Sequence, residues 1–272
     1  MSAVEQPMPA AQIKAAIFDW AGTTIDYGSL APMRVFVEIF KRRGVEIAIE
    51  EARGPMGRAK HEHIAEVCKL PRVAARWREV HGHEPGEADV LAMYEEFLPL
   101  QKSVLGEGWE LIPGVIETMA TLRGRGIRVG STTGYTRALM DVVAPRAARL
   151  GYSPDCLVCS DDVKAGRPAP WMNFRAAEQL GIFPPSAIVA VDDTPVGIEA
   201  ARNGGMWAVG VARTGNEFGI TQAESDAMEL NSPVEYQRRI AFAKEKLQRA
   251  GAHFVIDGII ELPAVIDAIA TS

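Results

Sequence analysis

The first apolar strand of the chain, with the loop that follows it, constrains the fold more than any other segment. Residues 13–26 read IKAAIFDWAGTTID, so an apolar run ends at Asp19 and a loop containing Gly22 begins. An apolar run bounded by a polar loop is typical of a buried strand of a parallel sheet. Because ligands of such sheets bind beyond the carboxyl ends of the strands, we expect Asp19 to lie at a binding site.

The carboxylate of Asp19 has three roles open to it in that position. It can bind a metal, attack an electrophile, or hold the loop together by accepting backbone hydrogen bonds. The third role is ordinary turn chemistry for an aspartate close to glycine and threonine. Taken alone, the strand and its loop favour this third role.

Strand and helix patterns alternate along the chain from about residue 110. Strand patterns fall at 127–132, 156–158, 187–191, 207–211 and 254–256, and helical patterns at 136–150, 170–180, 196–203 and 233–250. Such alternation implies a parallel sheet with helices on both faces. We therefore predict an α/β fold with a doubly wound, Rossmann-like parallel sheet.

The stretch between the first strand and residue 105 is helical in pattern, with almost no strand signal. Its first helix opens with Pro32 at the first helical position, has one apolar face and stops at Gly44. Further helix starts are predicted near Ile49, Gly57, Pro71 and Glu87. Because the first strand has no helix of its own before this block, we interpret the block as an insertion. The prediction is a helical cap domain at 28–105 and a core domain formed by 1–27 and 106–272.

Composition excludes several classes of partner. The 272 residues are 47% hydrophobic, which suffices to bury a sizeable core, and the net charge of −6 argues against a nucleic-acid surface. No window approaches the roughly 18 uncharged apolar residues of a membrane-spanning helix. The first dozen residues lack the pattern of a signal peptide. We expect a soluble cytoplasmic protein that binds neither nucleic acid nor membrane.

The three cysteines, Cys68, Cys156 and Cys159, are too few and too odd in number for a disulfide framework. Cys156 and Cys159 have CxxC spacing, but they lie in an apolar strand pattern. Residues three apart in a strand face opposite sides of the sheet. We therefore expect buried free thiols.

Polar residues also follow the second strand. The sequence GSTTGYT at 130–136 brings hydroxyls and a glycine to the start of a helix, where backbone N–H groups and a hydroxyl at Thr133 and Gly134 would cradle a phosphate. Thr136 acting as a helix N-cap would be a simpler use of one hydroxyl. The two uses are compatible.

Charged residues follow the third and fourth strands of the pattern. The sequence DDVKAGRP contains Lys164 and Arg167, either of which would neutralise phosphoryl charge and hold the carboxylate of Asp19. The fourth strand ends in Asp192 and Asp193. Carboxylates beside Asp19 repel one another unless a cation lies between them, and Mg²⁺ suits such oxygen ligands.

The loop sequence DWAGTTxD resembles the opening motif of the haloacid dehalogenase superfamily, whose first aspartate is a nucleophile. Most phosphatases of that superfamily carry a second aspartate, a proton donor, where this chain has Ala21. Without that donor, a reaction that needs acid catalysis of an oxygen leaving group would lose roughly 10²–10⁴ in rate. With AGRP at 165–168 and PMGxxK at 55–60, the chain resembles the phosphonoacetaldehyde hydrolase family over essentially its whole length. Arg167 is thereby favoured over Lys164.

The resemblance implies a role for each matching residue. Asp19 would be the nucleophile that forms an aspartyl phosphate, and Lys60 would form a Schiff base with the substrate phosphonoacetaldehyde. The Mg²⁺ ligands would be Asp19, the backbone carbonyl of Ala21, and Asp193. Phosphate would be bound by Thr133, Gly134 and Arg167, and the substrate pocket would include Met56 and Tyr135. Apart from the resemblance, His63 lies three residues after Lys60 on the same helix face, which suits a proton relay, and a hydrogen-bonded or solvent-facing histidine is an equally open alternative. The family also implies a homodimer that acts in the degradation of 2-aminoethylphosphonate.

The chemistry of the reaction explains why a lysine is needed at this site. Transfer of a phosphoryl group from carbon to Asp19 would leave a carbanion, which is too basic to depart unassisted. An imine between Lys60 and an aldehyde one carbon away accepts those electrons, so the leaving group becomes a neutral enamine. The amine must be neutral to attack, so its pKa should be lowered by burial and by nearby positive charge. This mechanism also makes Ala21 intelligible, because no acid is needed at the leaving atom.

Three positions depart from the patterns of relatives. Where the superfamily has GDTxxD, this chain has Asp192 in place of the glycine and Gly197 in place of the later aspartate. Ser29 stands where a relative has cysteine. Whether Asp192 supports the metal is therefore open.

Two other functions are compatible with parts of the pattern. A phosphatase or phosphomutase of the same superfamily would act on a phosphate ester, although Ala21 and the PMGxxK segment argue against it. A regulatory module that accepts or binds phosphate would also need Asp19 beside an acid pair. Such a module would leave the helical block and Lys60 without a purpose.

Overall fold

The computed structural model describes residues 12–106 and 109–271. Within these residues, one parallel sheet contains the strands β1 (Ala15–Phe18), β2 (Arg128–Thr133), β3 (Cys156–Cys159), β4 (Ile188–Asp192), β5 (Trp207–Val211) and β6 (Phe254–Ile256). Their order is β3-β2-β1-β4-β5-β6. The strands run outward in both directions from the central β1, as in doubly wound sheets. The predicted fold class is confirmed.

The helices fall into two groups along the chain. Those between β1 and β2 are α1 (Leu30–Arg42), α2 (Ile49–Arg53), α3 (Lys60–Cys68), α4 (Pro71–His81), α5 (Glu87–Gly106) and α6 (Val115–Gly124). Those after β2 are α7 (Arg137–Arg149), α8 (Trp171–Leu180), α9 (Pro195–Asn203), α10 (Gln222–Asn231), α11 (Pro233–Arg249) and α12 (Leu262–Thr271). The alternation pattern does not predict α6, α10 or α12.

Helices cover both faces of the sheet. Ala16 and Phe18 of β1 belong to one hydrophobic cluster, and Ala15 and Ile17 belong to the cluster on the opposite face. This division follows from the alternation of side chains along a strand. A central strand covered on both sides must be apolar at every position, and β1 is.

Helices α1–α5 pack around a third hydrophobic cluster, which includes Phe36, Trp77 and Phe97. The apolar face expected for the first helix belongs to this cluster and consists of Val35, Phe36, Ile39 and Phe40. A block with its own core is what an inserted cap requires. The domain boundaries themselves stay a prediction, and residues 107 and 108, beside the second junction, lie outside the described residues.

Two helix starts differ from the prediction. Helix α1 begins at Leu30 instead of Pro32, because the carboxylate of Asp26 accepts hydrogen bonds from the N–H groups of Leu30 (3.3 Å) and Ala31 (3.0 Å). Helix α3 begins at Lys60 instead of near Gly57. Gly57 has a φ of 91°, which lies outside the helical region.

The register of the sheet brings three strand ends together. Phe18 pairs with Ser131 of β2 and with Val191 of β4. One residue further along, Asp19 therefore lies level with Thr132 and Asp192. Strands β2 and β4 each extend one residue beyond the predicted ends, to Thr133 and Asp192.

The expectation of free cysteines is confirmed. Cys68 and Cys159 are free and buried, whereas Cys156 is free but only half-buried, so its predicted burial is wrong in part. Cys156 lies at the start of the edge strand β3, where neighbours cover one side less completely. Among the described residues, no helix is both long and apolar enough to cross a membrane.

Candidate active site

Asp19 lies at the end of β1 and forms an ion pair with Arg167. Its Oδ1 is 2.7 Å from Nη2 of Arg167, and both side chains are buried. Nη1 of the same guanidinium is 3.1 Å from Oδ2 of Asp192. Nη2 also donates a hydrogen bond of 2.9 Å to the Thr132 hydroxyl. Arg167 is thus fixed between β1, β2 and β4, whereas Lys164 is exposed to solvent.

Three buried carboxylates converge beside this ion pair. Each of Asp19, Asp192 and Asp193 offers an oxygen within 4.8 Å of the others. Asp193 Oδ1 accepts a hydrogen bond from the Thr23 hydroxyl (3.1 Å), and its Oδ2 accepts one from the backbone N–H of Asn216 (2.7 Å). The carboxylates are therefore held in place by groups on separate loops.

Three buried carboxylates lie beside a single positive charge, the guanidinium of Arg167. Burial raises the pKa of Asp19 to about 7, against the opposing effect of Arg167. Burial, together with the charges of Asp19 and Asp192, raises the pKa of Asp193 well above its usual range. Arg167 has a raised pKa because Asp192 and Asp19 outweigh the effect of its burial, so it supplies one full positive charge. The raised pKa values mean that one guanidinium does not compensate three buried carboxylates, and a divalent cation, which prefers oxygen ligands, would stabilise their ionised form.

The residues predicted to bind phosphate, Thr133 and Gly134, lie at and directly after the end of β2. Thr133 and Gly134 line the same cavity as Asp19 and Arg167. A Cβ at position 134 would lie 2.9 Å from the backbone oxygen of Arg58, so only glycine fits there without displacement. Thr136 occupies the N-cap position of α7, but its buried hydroxyl makes no hydrogen bond to any described residue. The simpler role considered for Thr136, helix capping by its side chain, is not observed.

Lys60 is the first residue of α3 and faces Asp19 across the cavity. It is 3% exposed, and its Nζ lies 4.0 Å from Met56 Sδ. The same atom lies over the rings of Phe36 and Tyr135, at 5.5 and 5.2 Å from their centroids. Burial, aided by Arg167 and opposed by Asp19, lowers the pKa of Lys60 to about 8. A substantial fraction of this amine is therefore neutral near pH 8.

His63 lies one turn after Lys60 but outside the group of residues that line the cavity. It is buried and stacked on Phe36, with ring centroids 3.7 Å apart. Its Nε2 is 2.7 Å from the backbone oxygen of Ala52, and burial lowers its pKa well below the usual value. The ring is therefore neutral and donates from Nε2. A solvent-facing His63 is excluded, and the proton-relay role stays a prediction.

The cavity joins residues from both halves of the chain. Its lining contains most of the predicted site residues: Asp19, Ala21, Met56, Lys60, Thr133, Gly134, Tyr135 and Arg167. It also contains residues for which no site role is predicted: Ser29, Pro32, Gly57 and Thr194. Gly57 and Thr194 lie within or directly after recognised motifs, which is the signal that marks them. Asp193 belongs to the carboxylate cluster beside the cavity.

The free volume of the cavity is about 20 Å³, room for about one water molecule. A substrate of several heavy atoms does not fit until surrounding groups move. Lys60 and Asp19, both buried, therefore lie on opposite sides of a narrow cavity.

Asp192 and Gly197 share one volume. A Cβ built at position 197 would lie 1.9 Å from Cγ of Asp192, so the Asp192 carboxylate fills the space of a side chain at 197. There Asp192 Oδ1 accepts hydrogen bonds from the N–H (2.9 Å) and the hydroxyl (2.7 Å) of Thr194. Its other oxygen holds Arg167. The two departures from GDTxxD are therefore one structural exchange.

Exchanging the two residues is expected to be tolerated better than either single change. Asp192→Gly leaves Arg167 with one carboxylate partner, and we expect about 10–100-fold lower kcat/KM. Gly197→Asp overfills the site and should cost about 1–3 kcal/mol in the free energy of unfolding. The double variant should recover part of both losses, which thermal unfolding and turnover measure.

The control for placing an aspartate in a helix is Gly124→Asp in α6, where a Cβ meets nothing within 4 Å. If the losses of the two single variants simply add up in the double variant, the two residues do not share one volume.

Comparison with known proteins shows the family to which the chain belongs. Residues 13–205 match the family model of the haloacid dehalogenase-like hydrolases. The chain is 51% identical over 254 residues to a phosphonoacetaldehyde hydrolase of Paraburkholderia phytofirmans, covering 93% of this chain and 94% of that protein. It is 46% identical over 255 residues to a bifunctional phosphonoacetaldehyde hydrolase/aminoethylphosphonate transaminase of Clostridioides difficile, covering 94% of this chain and 40% of that protein.

A solved structure is similar along the whole fold. The crystal structure of a phosphonoacetaldehyde hydrolase-like protein from Oleispira antarctica superposes with a TM-score of 0.93 at 38% identity, covering 100% of this chain and 97% of that one. Sequence and fold therefore agree on the relationship. The chain belongs to the haloacid dehalogenase-like hydrolases and, within them, to the family of the phosphonoacetaldehyde hydrolases.

Proposed function

We propose that the protein hydrolyses the carbon–phosphorus bond of phosphonoacetaldehyde to give acetaldehyde and phosphate. The observation that carries the proposal is the pairing, in one narrow cavity, of a buried amine with a lowered pKa and a buried carboxylate. Lys60 suits an aldehyde and Asp19 suits a phosphoryl group. The names of the relatives support the same substrate.

Lys60 begins the reaction as a neutral amine. It adds to the aldehyde carbon, and uptake of a proton with loss of water gives a protonated imine. A carboxylate oxygen of Asp19 then attacks phosphorus, the P–C bond breaks, and its electron pair moves to the imine nitrogen to give an enamine. Protonation at carbon and addition of water release acetaldehyde and regenerate the amine. A second water cleaves the aspartyl phosphate, so one water is consumed overall.

The phosphoryl oxygens would be bound by the groups around Asp19. The Thr133 hydroxyl, the backbone at Gly134 and the Arg167 guanidinium all line the cavity. Arg167 stays charged and is held by Asp192, so it offers a fixed cation to the phosphoryl group. Met56 and Tyr135 enclose the amine from the other side.

Mg²⁺ is the cofactor we propose, since its preference for oxygen ligands fits the carboxylate cluster. Asp19, the backbone carbonyl of Ala21 and Asp193 would hold it. When bound, it supplies positive charge that keeps the carboxylates ionised and stabilises charge on the phosphoryl oxygens. Asp192 would support the site through Arg167.

The helical block at 28–105 is proposed to act as a cap that opens to admit substrate and closes to exclude water. The small cavity supports this role, because Lys60 lies on the block and Asp19 on the sheet. The transaminase part of the Clostridioides difficile relative supports a place in 2-aminoethylphosphonate degradation. The homodimer and the cytoplasmic location stay predictions.

The proposed function is tested by adding phosphonoacetaldehyde and Mg²⁺ and measuring both acetaldehyde and phosphate. Equal amounts of the two products are expected, with loss of both when EDTA removes the metal. A phosphate monoester, such as β-glucose 1-phosphate, serves as the alternative substrate. Faster phosphate release from the ester would favour a phosphatase or phosphomutase, and no release from either compound would favour a phosphate-binding module.

The acid side of the pH–rate profile is expected to report Lys60. Its pKa is lowered to about 8, so at lower pH the amine is protonated and cannot attack. We expect kcat/KM to fall about tenfold for each pH unit below that value. The rate at which a limiting amount of reagent acetylates Lys60, measured at a series of pH values without substrate, assigns the ionisation to this amine. An essential base with a pKa near the ordinary lysine value would contradict the mechanism.

A further inference from the structure

Arg53, the last residue of α2, reaches from the helical block to the core loop after β5, and it also binds the first residue of the block, Gly28. Its Nη1 donates hydrogen bonds to the backbone oxygens of Gly28 (3.0 Å) and Asn216 (2.9 Å) and to the Asn216 side-chain oxygen (3.1 Å). Its Nη2 donates to the backbone oxygen of Gly219 (2.9 Å). The planar guanidinium is suited to such fixed, multiple donation.

One partner of Arg53, Asn216, also binds the carboxylate cluster. Asn216 and Gly219 belong to the loop at 212–219 that follows β5, here called the β5 loop. Within it, the backbone N–H of Asn216 donates to Oδ2 of Asp193 at 2.7 Å. The same residue thus accepts from Arg53 and holds a carboxylate of the proposed metal site. A single residue separates the guanidinium from Asp193.

Arg53 also precedes the segment that carries Lys60. We call residues 54–60 the cap loop. This loop is pressed against the core, since a Cβ at Gly57 would lie 2.4 Å from the Thr194 hydroxyl. The fit around Arg53 is equally close, because a Cβ at Gly219 would lie 2.6 Å from Cζ of Arg53. The guanidinium is therefore closely packed against the β5 loop, directly before the start of the cap loop.

We propose that Arg53 is a positioning residue that locks the cap loop, and with it Lys60, onto the core and that orients Asp193 through Asn216. The proposal rests on the proposed function, in which Lys60 and Asp19 must meet on closure. Because Arg53 and Asp193 bind the same residue of the β5 loop, closure of the cap loop and cation binding favour each other. By linkage, a cation at Asp193 strengthens closure to the same extent that closure strengthens binding of the cation.

Arg72 is a matched control. Its Nε donates to Oε1 of Glu51 (2.7 Å) and its Nη2 donates to the backbone oxygen of Glu46 (3.0 Å), so these bonds stay within the helical block. Arg53→Lys and Arg72→Lys both keep the positive charge and remove the planar set of guanidinium N–H donors. Only the first change removes bonds between the block and the core.

Hydrogen exchange measured by mass spectrometry tests the lock without turnover. Gly28 donates its N–H to the backbone oxygen of Thr214 (2.8 Å), and Asn216 donates to Asp193. In Arg53→Lys, peptides covering 26–31 and 213–219 should exchange about tenfold faster, the effect of losing roughly one or two net hydrogen bonds. Arg72→Lys should match the wild type there. If these peptides exchange in Arg53→Lys at the same rate as in the wild type, the proposal is overturned.

A second measurement separates the lock from the chemistry. The Mg²⁺ concentration for half-maximal phosphate release should rise about tenfold in Arg53→Lys and stay unchanged in Arg72→Lys. If Arg53→Lys fails to fold, Asn216→Ala removes the side-chain acceptor but keeps the backbone bond to Asp193, and a smaller change of the same sign is expected. Faster exchange in Arg53→Lys with no phosphate from the wild type would uphold the lock and refute the proposed function. Phosphate release with unchanged Mg²⁺ dependence would refute the coupling.

Discussion

Replacing Lys60 by arginine is expected to abolish turnover of phosphonoacetaldehyde. Arginine keeps the positive charge and much of the length, but a guanidinium stays protonated and forms no imine with the aldehyde. Without the imine, the electrons of the P–C bond have no acceptor. We expect kcat/KM to fall by at least about 10⁴-fold, in keeping with losses on the order of 10⁶-fold when hydrolases lose a nucleophile.

Borohydride reduction in the presence of substrate makes this result specific. In the wild type it should trap a secondary amine that peptide mass mapping assigns to Lys60, and in Lys60→Arg no adduct should form. Lys69→Arg, at the other end of α3, is the matched control, since this lysine is exposed and paired with Glu66 at 2.8 Å. Full turnover in Lys60→Arg, or an adduct at another lysine, would contradict the mechanism.

The sheet and its polar edge could be predicted because their signals are local. The strands β1 and β4 are apolar runs that end at or directly before an aspartate, β2 ends in hydroxyl residues, and parallel strands share one edge. That reasoning places Asp19, Thr133 and Asp193 at the same edge before any contact is known. The strand pattern leaves Lys164 and Arg167 equally open, and only the resemblance to the family favours Arg167, a choice that the ion pair with Asp19 supports.

Other features depend on tertiary contacts that no local pattern contains. The start of α1 is set by the Asp26 carboxylate, and the start of α3 by Gly57, whose φ of 91° lets the cap loop approach Thr194. The role of Arg53 is invisible in sequence, because its partners lie far along the chain at 216 and 219. Periodicity likewise does not predict the exchange between Asp192 and Gly197, because the two side-chain volumes meet only in the fold.

Replacing Asp19 by asparagine is expected to separate the two halves of the reaction. Asparagine keeps the volume, and Arg167 keeps its contact with Asp192 at 3.1 Å, so the site should stay assembled. The amide does not attack phosphorus, and phosphate release should fall at least about 10⁴-fold. Imine formation needs only the amine, so borohydride should still trap substrate on Lys60. Asp192→Asn removes one charge from the same cluster without removing the nucleophile, and its loss should be far smaller.

The same variant makes a prediction about pH whose sign follows from charge. The negative charge of Asp19 stabilises the ammonium form of Lys60 and raises its pKa, against the larger lowering by burial. Removing that charge should move the pKa below about 8, so the amine becomes neutral at lower pH. Trapping by borohydride, followed against pH, should therefore begin at lower pH in Asp19→Asn than in the wild type. An unchanged pH of onset would mean that Asp19 does not face the amine, and persistent phosphate release would mean that it is not the nucleophile.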